Sequence, residues 1–208
     1  MSSPTGVPRT LRDRKRDRTR KALVDAAVEL FERNGYHDTT IADIAAAADI
    51  GTRTFFGYFA SKEELLFPDT DGRVDAALAA IATREPGDRP VDVLLRALRD
   101  VASPEGQPDD MVNRLTALRM RLIRTVPAVG GRALQIQFDA QRDIAKHLQQ
   151  AFPDELDDVT AAALVGAFVG AVDGALQVLL DNPSASDDPD HLRQHLHHAT
   201  DIALRPWR

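Results

Sequence analysis

Cysteine is absent from the 208 residues of this chain. Disulfide bonds, thiolate nucleophiles and cysteine-ligated zinc sites are therefore excluded. Aromatic side chains are also scarce, at 5% of the sequence, which is too few for a strand-rich sandwich. Alanine and leucine, both strong helix formers, dominate the long segments instead. We therefore predict an all-α fold of nine or ten helices.

The signatures of the common enzyme classes are missing as well. The sequence contains no phosphate-binding loop, dinucleotide fingerprint, nucleophile elbow or HExxH pair. His191, His195 and His198 share one helical stripe near Asp187 and Asp188, and two histidines four residues apart could chelate zinc. No third strong ligand stands at a characteristic spacing, so a solvated or interfacial face is the preferred interpretation. We expect no catalytic residue, no cofactor and no bound metal.

No apolar run follows the basic start of the chain, which argues against a signal peptide and for a cytoplasmic protein. The net charge of −6 is unevenly spread. Residues 1–21 carry eight basic and two acidic groups, whereas residues 68–208 carry 15 basic and 22 acidic ones. Positive charge therefore collects near the N-terminus, where it would attract a nucleic acid. A solvated tail is the alternative interpretation of this basic run.

Residues 39–66 read as two short helices joined by a tight turn and followed by the start of a third. Apolar residues recur at helical spacing in the first helix, which Thr40 can cap. Gly51 should give the turn its conformational freedom. Phe55 and Phe59 should bury one side of the next helix, whose other side carries small polar, arginine and aromatic groups. A short helix with such an outward face suits the major groove of DNA.

The segment ADIGTRTFFGYFASKEEL resembles the helix-turn-helix signature of the tetracycline-repressor (TetR) family of bacterial transcription regulators. The preceding segment LVDAAVELFERNGYHDTT is similar to the family's first helix and its exit. The resemblance covers residues 20–66, with many positions agreeing at fixed spacing. Two positions depart from the family pattern, because Gly51 replaces the usual serine and Phe56 replaces the usual tyrosine. The second change removes a hydroxyl that could contact a phosphate.

The resemblance implies a homodimer that binds double-stranded DNA at a palindromic operator and is released by an unidentified small-molecule effector. The basic arm, Thr40, Tyr58 and Lys62 would contact phosphates and fix the register on the duplex. Arg53 would be the main base reader, because its guanidinium can grip guanine O6 and N7 together. The predicted DNA-binding residues are Arg14, Arg16, Arg18, Thr40, Thr52, Arg53, Thr54, Phe56, Gly57, Tyr58 and Lys62.

The order of predicted helices and breaks divides the chain into four regions. They are a disordered tail at 1–10, a helix-turn-helix DNA-binding domain at 11–60, a connecting helix at 61–84, and a ligand-binding and dimerisation domain at 85–208. Ser61 and Glu64 should form a capping box that opens the connecting helix, and Pro68 should kink or break that helix. Pro127, Gly130 and Gly131 should separate the sixth predicted helix from the seventh, which should run from about residue 131 to residue 152.

The resemblance also implies that the fifth to seventh helices enclose a pocket for a hydrophobic or amphipathic effector, since such pockets are mostly apolar. For any single apolar member, ordinary core packing is the simpler interpretation. The lining candidates are Leu94, Leu98, Met111, Leu115, Leu118, Met120, Leu122, Ile136 and Phe138, with Arg119, Gln137 and Gln141 as polar anchors.

The eighth predicted helix contains AAALVGAFVGAVDGALQVLL, which is apolar almost throughout. A membrane span would bury Asp173 at a cost of roughly 3 kcal/mol, so we do not expect a membrane protein. Glycines recur at every fourth residue and leave a smooth stripe for close helix approach. In the TetR family the last two helices of each subunit form a four-helix dimer bundle. The predicted dimer interface is Gly166, Gly170, Asp173, Gly174, Gln177, His191 and His195.

Two other functions remain open from the sequence. One is an architectural protein that coats DNA with little specificity, and the other is a ligand-binding protein on the same scaffold. A high ratio of operator affinity to random-DNA affinity would exclude the first. Failure of an intact dimer to bind any DNA would favour the second.

Overall fold

The computed structural model describes residues 10–68, 70–102, 110–181 and 189–207. Within these residues the chain forms nine α-helices and two short 3₁₀ turns, with no strand. The all-α prediction is therefore confirmed. The helices are α1 Leu11–Asn34, α2 Ile41–Ala47, α3 Thr52–Phe55, α4 Thr70–Ala82, α5 Pro90–Ala102, α6 Asp110–Thr125, α7 Pro127–Ala151, α8 Asp158–Asp181 and α9 Pro189–Leu204. The 3₁₀ turns are Glu63–Leu66 and Arg205–Trp207.

The helices divide into two compact units. The first unit consists of Met1–Pro68 and Pro108–Ala133, and the second of Asp69–Gln107 and Leu134–Arg208. Thus α6 and the first residues of α7 belong with α1, α2 and α3. The sequence-based division placed α6 in the C-terminal domain instead. The difference arises because an apolar face of α6 packs against α1, a long-range contact that helix periodicity does not reveal.

The core of the first unit joins α1, α2, α3 and α6. Ile44 of α2 and Phe55 of α3 are both 0% exposed. Burying a side chain of this size contributes about 1.5–3 kcal/mol, so α3 is held mainly by its apolar underside. Residues that α6 contributes to the same core are Leu115, Leu118 and Leu122.

The core of the second unit is built between α4, α5, α7, α8 and α9. Leu94 of α5, Leu148 of α7, Leu164 of α8 and Leu204 of α9 are buried in one cluster. The most extensive packing in this unit runs between α8 and α9, followed by that between α4 and α5. This core occupies one side of α8 only.

The break in the connecting helix lies where the sequence placed it. The 3₁₀ turn ends before Pro68, and α4 begins at Thr70, so the predicted break is confirmed. The capping box predicted for Ser61 and Glu64 is wrong, because the turn has no side-chain cap. The Glu64 carboxylate does reach back, but it accepts the N–H of Ala60 at 2.8 Å.

The predicted separation of the sixth and seventh helices by Pro127, Gly130 and Gly131 is also wrong, because the seventh helix begins four residues earlier than predicted. Both glycines lie inside α7, which begins at Pro127 and continues without interruption. A proline at the first helical position is favoured because its missing N–H would be unsatisfied there anyway. Gly130 has a packing reason to be glycine, since a Cβ at this position would lie 2.9 Å from the backbone oxygen of Ile123.

Candidate nucleic-acid interface

A reciprocal cap fixes the start of α2. The N–H and hydroxyl of Thr40 donate to Asp43 Oδ2 at 2.9 and 2.6 Å, and the Asp43 N–H donates back to Thr40 Oγ1 at 3.1 Å. The hydrogen bond from the Thr40 hydroxyl, and to a lesser extent that from its backbone N–H, holds the pKa of Asp43 below the usual aspartate value. The predicted capping role of Thr40 is confirmed, and its side chain remains exposed at the surface.

The turn between α2 and α3 is built differently from the sequence prediction. Its left-handed residue is Asp49, with φ 55°, whereas Gly51 has an extended backbone with φ −78°. Aspartate visits the left-handed region more readily than most residues, because its short polar side chain can bond locally. The Ile50 N–H closes the turn by donating to the Ala45 oxygen at 2.9 Å. Gly51 instead precedes α3 without a side-chain cap, as its replacement of serine implies.

One side of α3 is buried and the other is open to solvent. The buried side is formed by Phe55 of α3 and by Phe59, which follows the end of the helix, with ring centroids 6.0 Å apart. Phe56, which directly follows α3, is 56% exposed and has helical backbone dihedrals. It lies three residues after Arg53 and four after Thr52, so these three exposed side chains share one face. The face combines a hydroxyl, a guanidinium and an apolar ring. Such groups can hydrogen-bond to base edges and touch thymine methyls in a major groove.

The remaining predicted DNA-binding residues of this unit lie around that face. Arg14, Arg16 and Arg18 are exposed on the N-terminal half of α1, and Thr54 and Gly57 are exposed at the end of α3. The guanidinium carbon of Arg16 lies 5.8 Å from the ring centroid of half-buried Tyr58. The structure therefore brings the arginine-rich end of α1 beside the segment that follows α3.

Arg20 is a functional candidate that sequence reasoning missed. Its guanidinium donates to the backbone oxygens of Tyr58 at 3.1 Å and Pro68 at 3.3 Å. It also lies 4.3 Å from the ring centroid of Phe59. Arg20 thus fastens the chain on both sides of the 3₁₀ turn to α1. Its position four residues after Arg16 on a basic helix suggested a surface cation and gave no signal of this role.

Lys62, predicted as a phosphate contact, points into the protein. Its ammonium donates to the backbone oxygens of Tyr36 at 2.7 Å and Thr39 at 3.0 Å. The same ammonium lies 4.0 Å from the centroid of the Tyr36 ring. Burial lowers the pKa of Lys62, against the opposing attraction of the carboxylates of Glu63 and Asp38. The side chain therefore has three partners within its own unit.

A second long-range contact holds the segment after α3. The Glu64 carboxylate that accepts from Ala60 also accepts from Arg132 Nη2 of α7 at 2.9 Å. The Arg132 Nε is buried and has no hydrogen-bond partner among the described residues. Glu64 and Arg132 are 68 residues apart in sequence, so no local pattern could have predicted the pair.

The candidate pocket residues do not form one cluster. Leu115, Leu118 and Leu122 lie in the core of the first unit, whereas Leu94 lies in the core of the second. Phe138 is 64% exposed. The candidates that are half-buried are Leu98, Met111, Arg119, Met120, Ile136, Gln137 and Gln141.

Two of the polar candidates acquire definite contacts. Arg119 of α6 lies over the ring of Phe67, with 6.0 Å between the guanidinium carbon and the centroid. Gln137 of α7 donates a short hydrogen bond to the carboxylate of Asp173 of α8. Asp173, proposed for the dimer interface, is therefore linked to a residue proposed for the pocket.

The glycine stripe of α8 faces away from the core of its own unit. Gly170, Gly174 and Gln177 are exposed, and a Cβ added to any of the glycines at 166, 170 or 174 would meet nothing within 4 Å. Val159 and Val178, at the two ends of the helix, are 77% and 64% exposed. Asp158–Leu179 is long and apolar enough to cross a membrane by length and composition alone. Only 17% of its apolar window is buried within the described structure, so most of this apolar surface is left uncovered.

The histidines of α9 lie close together but form no metal cluster. His191 and His195 have ring centroids 4.1 Å apart, and His195 Nδ1 lies 2.8 Å from the backbone oxygen of His191. Among the described residues, no group of three or more potential ligands could hold a metal ion. Asp187 and Asp188, which the sequence placed nearby, lie outside the described residues.

Comparison with known sequences identifies relatives of the helix-turn-helix segment and of most of the chain. The profile of a family described as bacterial regulatory proteins, tetR family, matches residues 23–67. The HTH-type transcriptional regulator TcmR of Streptomyces glaucescens is 33% identical over 159 residues, which cover 76% of this chain and 70% of TcmR.

Solved structures share the fold at low sequence identity. A putative TetR-family transcriptional regulator from Syntrophomonas wolfei superposes with a TM-score of 0.62 at 15% identity, covering 90% of this chain and 96% of that one. A structure of SmeT in complex with triclosan gives a TM-score of 0.61 at 18% identity, with 91% of each chain covered. At these identities the likeness establishes the fold and no more.

Proposed function

Because the chain belongs to the tetR family of bacterial regulatory proteins, we propose that it acts in the cytoplasm as a homodimeric repressor, released from its operator by a small effector. That it is a DNA-binding transcription regulator follows from the family itself. The proposal adds the dimer, the repressing direction, the residues that read DNA and the class of effector.

The outward face of α3 is the observation that supports the DNA-reading assignment most strongly. Thr52 and Arg53 of α3 and Phe56 directly after it are exposed together, and Phe55 and Phe59 anchor the opposite side of the same segment. A rigidly seated helix can present these groups to base edges without an ordering cost at the moment of binding. The basic N-terminal half of α1, on the same unit, would supply phosphate contacts.

The DNA-reading assignment is tested by selecting duplexes from a randomised library with the purified protein. We expect recovered sequences to contain two inverted half-sites roughly 34–36 Å apart, because a two-fold dimer presents two copies of α3. A discrete gel shift of the selected duplex should survive excess random duplex. Shifts erased equally by random DNA would indicate a low-specificity coating protein and contradict the proposal.

The open glycine stripe of α8 supports the dimer. An apolar helix with most of its surface uncovered is costly in water, and a smooth glycine surface lets a second helix approach closely. We expect Gly170→Leu to leave the protomer folded, because open space surrounds that Cβ, and to weaken self-association measured by sedimentation equilibrium. Ala79→Leu, at an exposed position of α4, is the matched control. Equal association of both variants would place the interface elsewhere.

A hydrophobic or amphipathic effector is proposed from the apolar helices of the C-terminal region and from the triclosan complex of SmeT. Triclosan is therefore a suitable first probe, followed by other small apolar compounds. An effector should weaken operator binding and, by linkage, bind the free protein more tightly than the DNA complex by the same factor. Gln141 of α7 is half-buried, and Gln141→Ala should reduce that coupling. Gln150 of the same helix is exposed, and Gln150→Ala should leave the coupling unchanged. Coupling retained in both variants would exclude Gln141 as a polar anchor.

A further inference from the structure

Lys62 joins two segments of the DNA-reading unit that are distant in sequence. We call the group formed by Lys62, Tyr36, the backbone oxygen of Thr39 and Glu63 the Lys62 bracket. One end of the bracket is the chain between α1 and α2, and the other is the start of the 3₁₀ turn after α3. Since Thr39 directly precedes the Thr40 cap, the bracket ends at the first turn of α2.

The bracket satisfies the ammonium internally. An ammonium has three donors, and two of them are used at 2.7 and 3.0 Å on the oxygens of Tyr36 and Thr39. The face of the Tyr36 ring lies 4.0 Å from the nitrogen and adds a cation–π contact. Pulling the side chain outward to a phosphate would leave two carbonyl oxygens without this donor, which disfavours that movement.

Neighbouring groups hold the bracket from both sides. The Tyr36 hydroxyl donates a short hydrogen bond to Glu63, and Tyr36 is 7% exposed. Burial and the Glu63 carboxylate raise the pKa of Tyr36, so the hydroxyl stays a donor. The Thr39 hydroxyl is buried and donates to the Gly35 oxygen at 2.8 Å. Both anchors of the ammonium are therefore fixed before any DNA binds.

We propose that Lys62 is a positioning residue of the DNA-reading unit, which sets the entry of α2 through Tyr36 and Thr39 and makes no phosphate contact. The inference rests on the proposed DNA-binding function and reverses the role that the sequence resemblance implied for this lysine. It predicts that the charge of Lys62 is silent in the counterion release that accompanies DNA binding. It also predicts that the loss of Lys62 acts on specific binding through geometry.

The test compares Lys62→Met with Arg14→Met, a matched removal of one exposed cation from α1 of the same unit. Affinities for the selected operator and for a random duplex are measured by fluorescence anisotropy over a salt series. We expect Lys62→Met to weaken operator binding about tenfold, the scale of one lost charge-assisted hydrogen bond, with an unchanged salt slope. Arg14→Met should weaken both duplexes and reduce the slope by about 0.9.

Lys62→Gln serves as a second variant, because its neutral amide can still donate to one carbonyl. A positioning role predicts that Lys62→Gln retains more operator affinity than Lys62→Met, with the wild-type slope in both. A slope reduced by about 0.9 in both variants, with equal loss on operator and random DNA, would show a phosphate contact and overturn the proposal. Operator affinity unchanged in both would overturn it as well.

A measurement on the free protein separates failure of the bracket from failure of the proposed function. The Ile44 N–H donates to the Thr40 oxygen at 3.2 Å and closes the first turn of α2. Loss of the bracket should accelerate hydrogen exchange at this amide in Lys62→Met without DNA. If wild type bound no duplex, only the proposed function would fail. Unchanged exchange in Lys62→Met would count against the bracket whether or not DNA binds.

Discussion

Replacement of two adjacent glycines of α7 by alanine should change the stability of the protein differently at each position. Gly130 and Gly131 are both helical, so replacement by alanine should gain about 0.8–1.0 kcal/mol of helix propensity at each position. At Gly131 a Cβ meets nothing within 4 Å, and the gain should appear in full. At Gly130 the Cβ would lie 2.9 Å from the Ile123 oxygen, a backbone atom of α6 that cannot rotate away.

The size of the difference follows from that close approach. Forcing an extra methyl against a packed backbone costs about 1–3 kcal/mol. Because the propensity gain is common to both variants and cancels, Gly130→Ala should be about 1–3 kcal/mol less stable than Gly131→Ala. Relative to wild type, Gly131→Ala should be more stable, and Gly130→Ala should range from equal to about 2 kcal/mol less stable.

Urea unfolding followed by far-ultraviolet circular dichroism would measure the order of the two variants. Protein concentration must be the same for all samples, since self-association would shift the midpoint. The midpoint should be highest for Gly131→Ala and clearly lower for Gly130→Ala, with similar slopes. Equal midpoints would refute the reasoning, because they would mean that α6 and α7 have room for a methyl group at their crossing.

Three further predictions concern the DNA-reading unit. Arg53→Ala should cost roughly 1–3 kcal/mol on the operator and relax its sequence preference, whereas equal loss on random duplex would make Arg53 a phosphate contact. Asp43→Asn should make the free energy of unfolding less dependent on pH at acid pH. Hydrogen bonds from Thr40 lower the pKa of Asp43, so its carboxylate stabilises the fold above the ordinary aspartate pKa, and this stabilisation is lost as pH falls through the lowered pKa. An unchanged acid limb in urea titrations would contradict this. Arg20→Met should lower stability by roughly 3 kcal/mol, since two hydrogen bonds from a charged donor are lost. A stability equal to wild type would show those bonds to be dispensable.

Short-range patterns in the sequence predict most of the helices and the buried side of α3. Phe55 and Phe59 are four residues apart, and both became the buried side of the reading segment. The Thr40 cap and the break near Pro68 were also visible, because each depends on residues within one turn of the helix. Local chemistry of this kind needs no knowledge of the rest of the fold.

The roles that sequence did not reveal depend on long-range partners. Lys62 lies beside polar residues in an exposed-looking motif, and its carbonyl partners come from 23 and 26 residues upstream. The glycines at 130 and 131 favour a late start for α7, yet Pro127 starts the helix early enough for it to run through both. Helix periodicity shows that Leu115, Leu118 and Leu122 share one apolar face of α6, but it does not reveal that this face packs in the core of the first unit.

The N-terminal half of α1 has a consequence for any work with this protein. Residues 11–18 are exposed, and reciprocal hydrogen bonds between Thr10 and Asp13 cap their first turn. An exposed helix end frays at little cost in free energy, and this one offers trypsin a run of arginines and a lysine. A preparation nicked there would keep its buried cores and most of its helical dichroism, yet lose the basic groups that approach phosphate first. Intact mass should therefore be checked before weak DNA binding is attributed to a mutation, and protection of these sites by operator DNA would give a footprint on the protein itself.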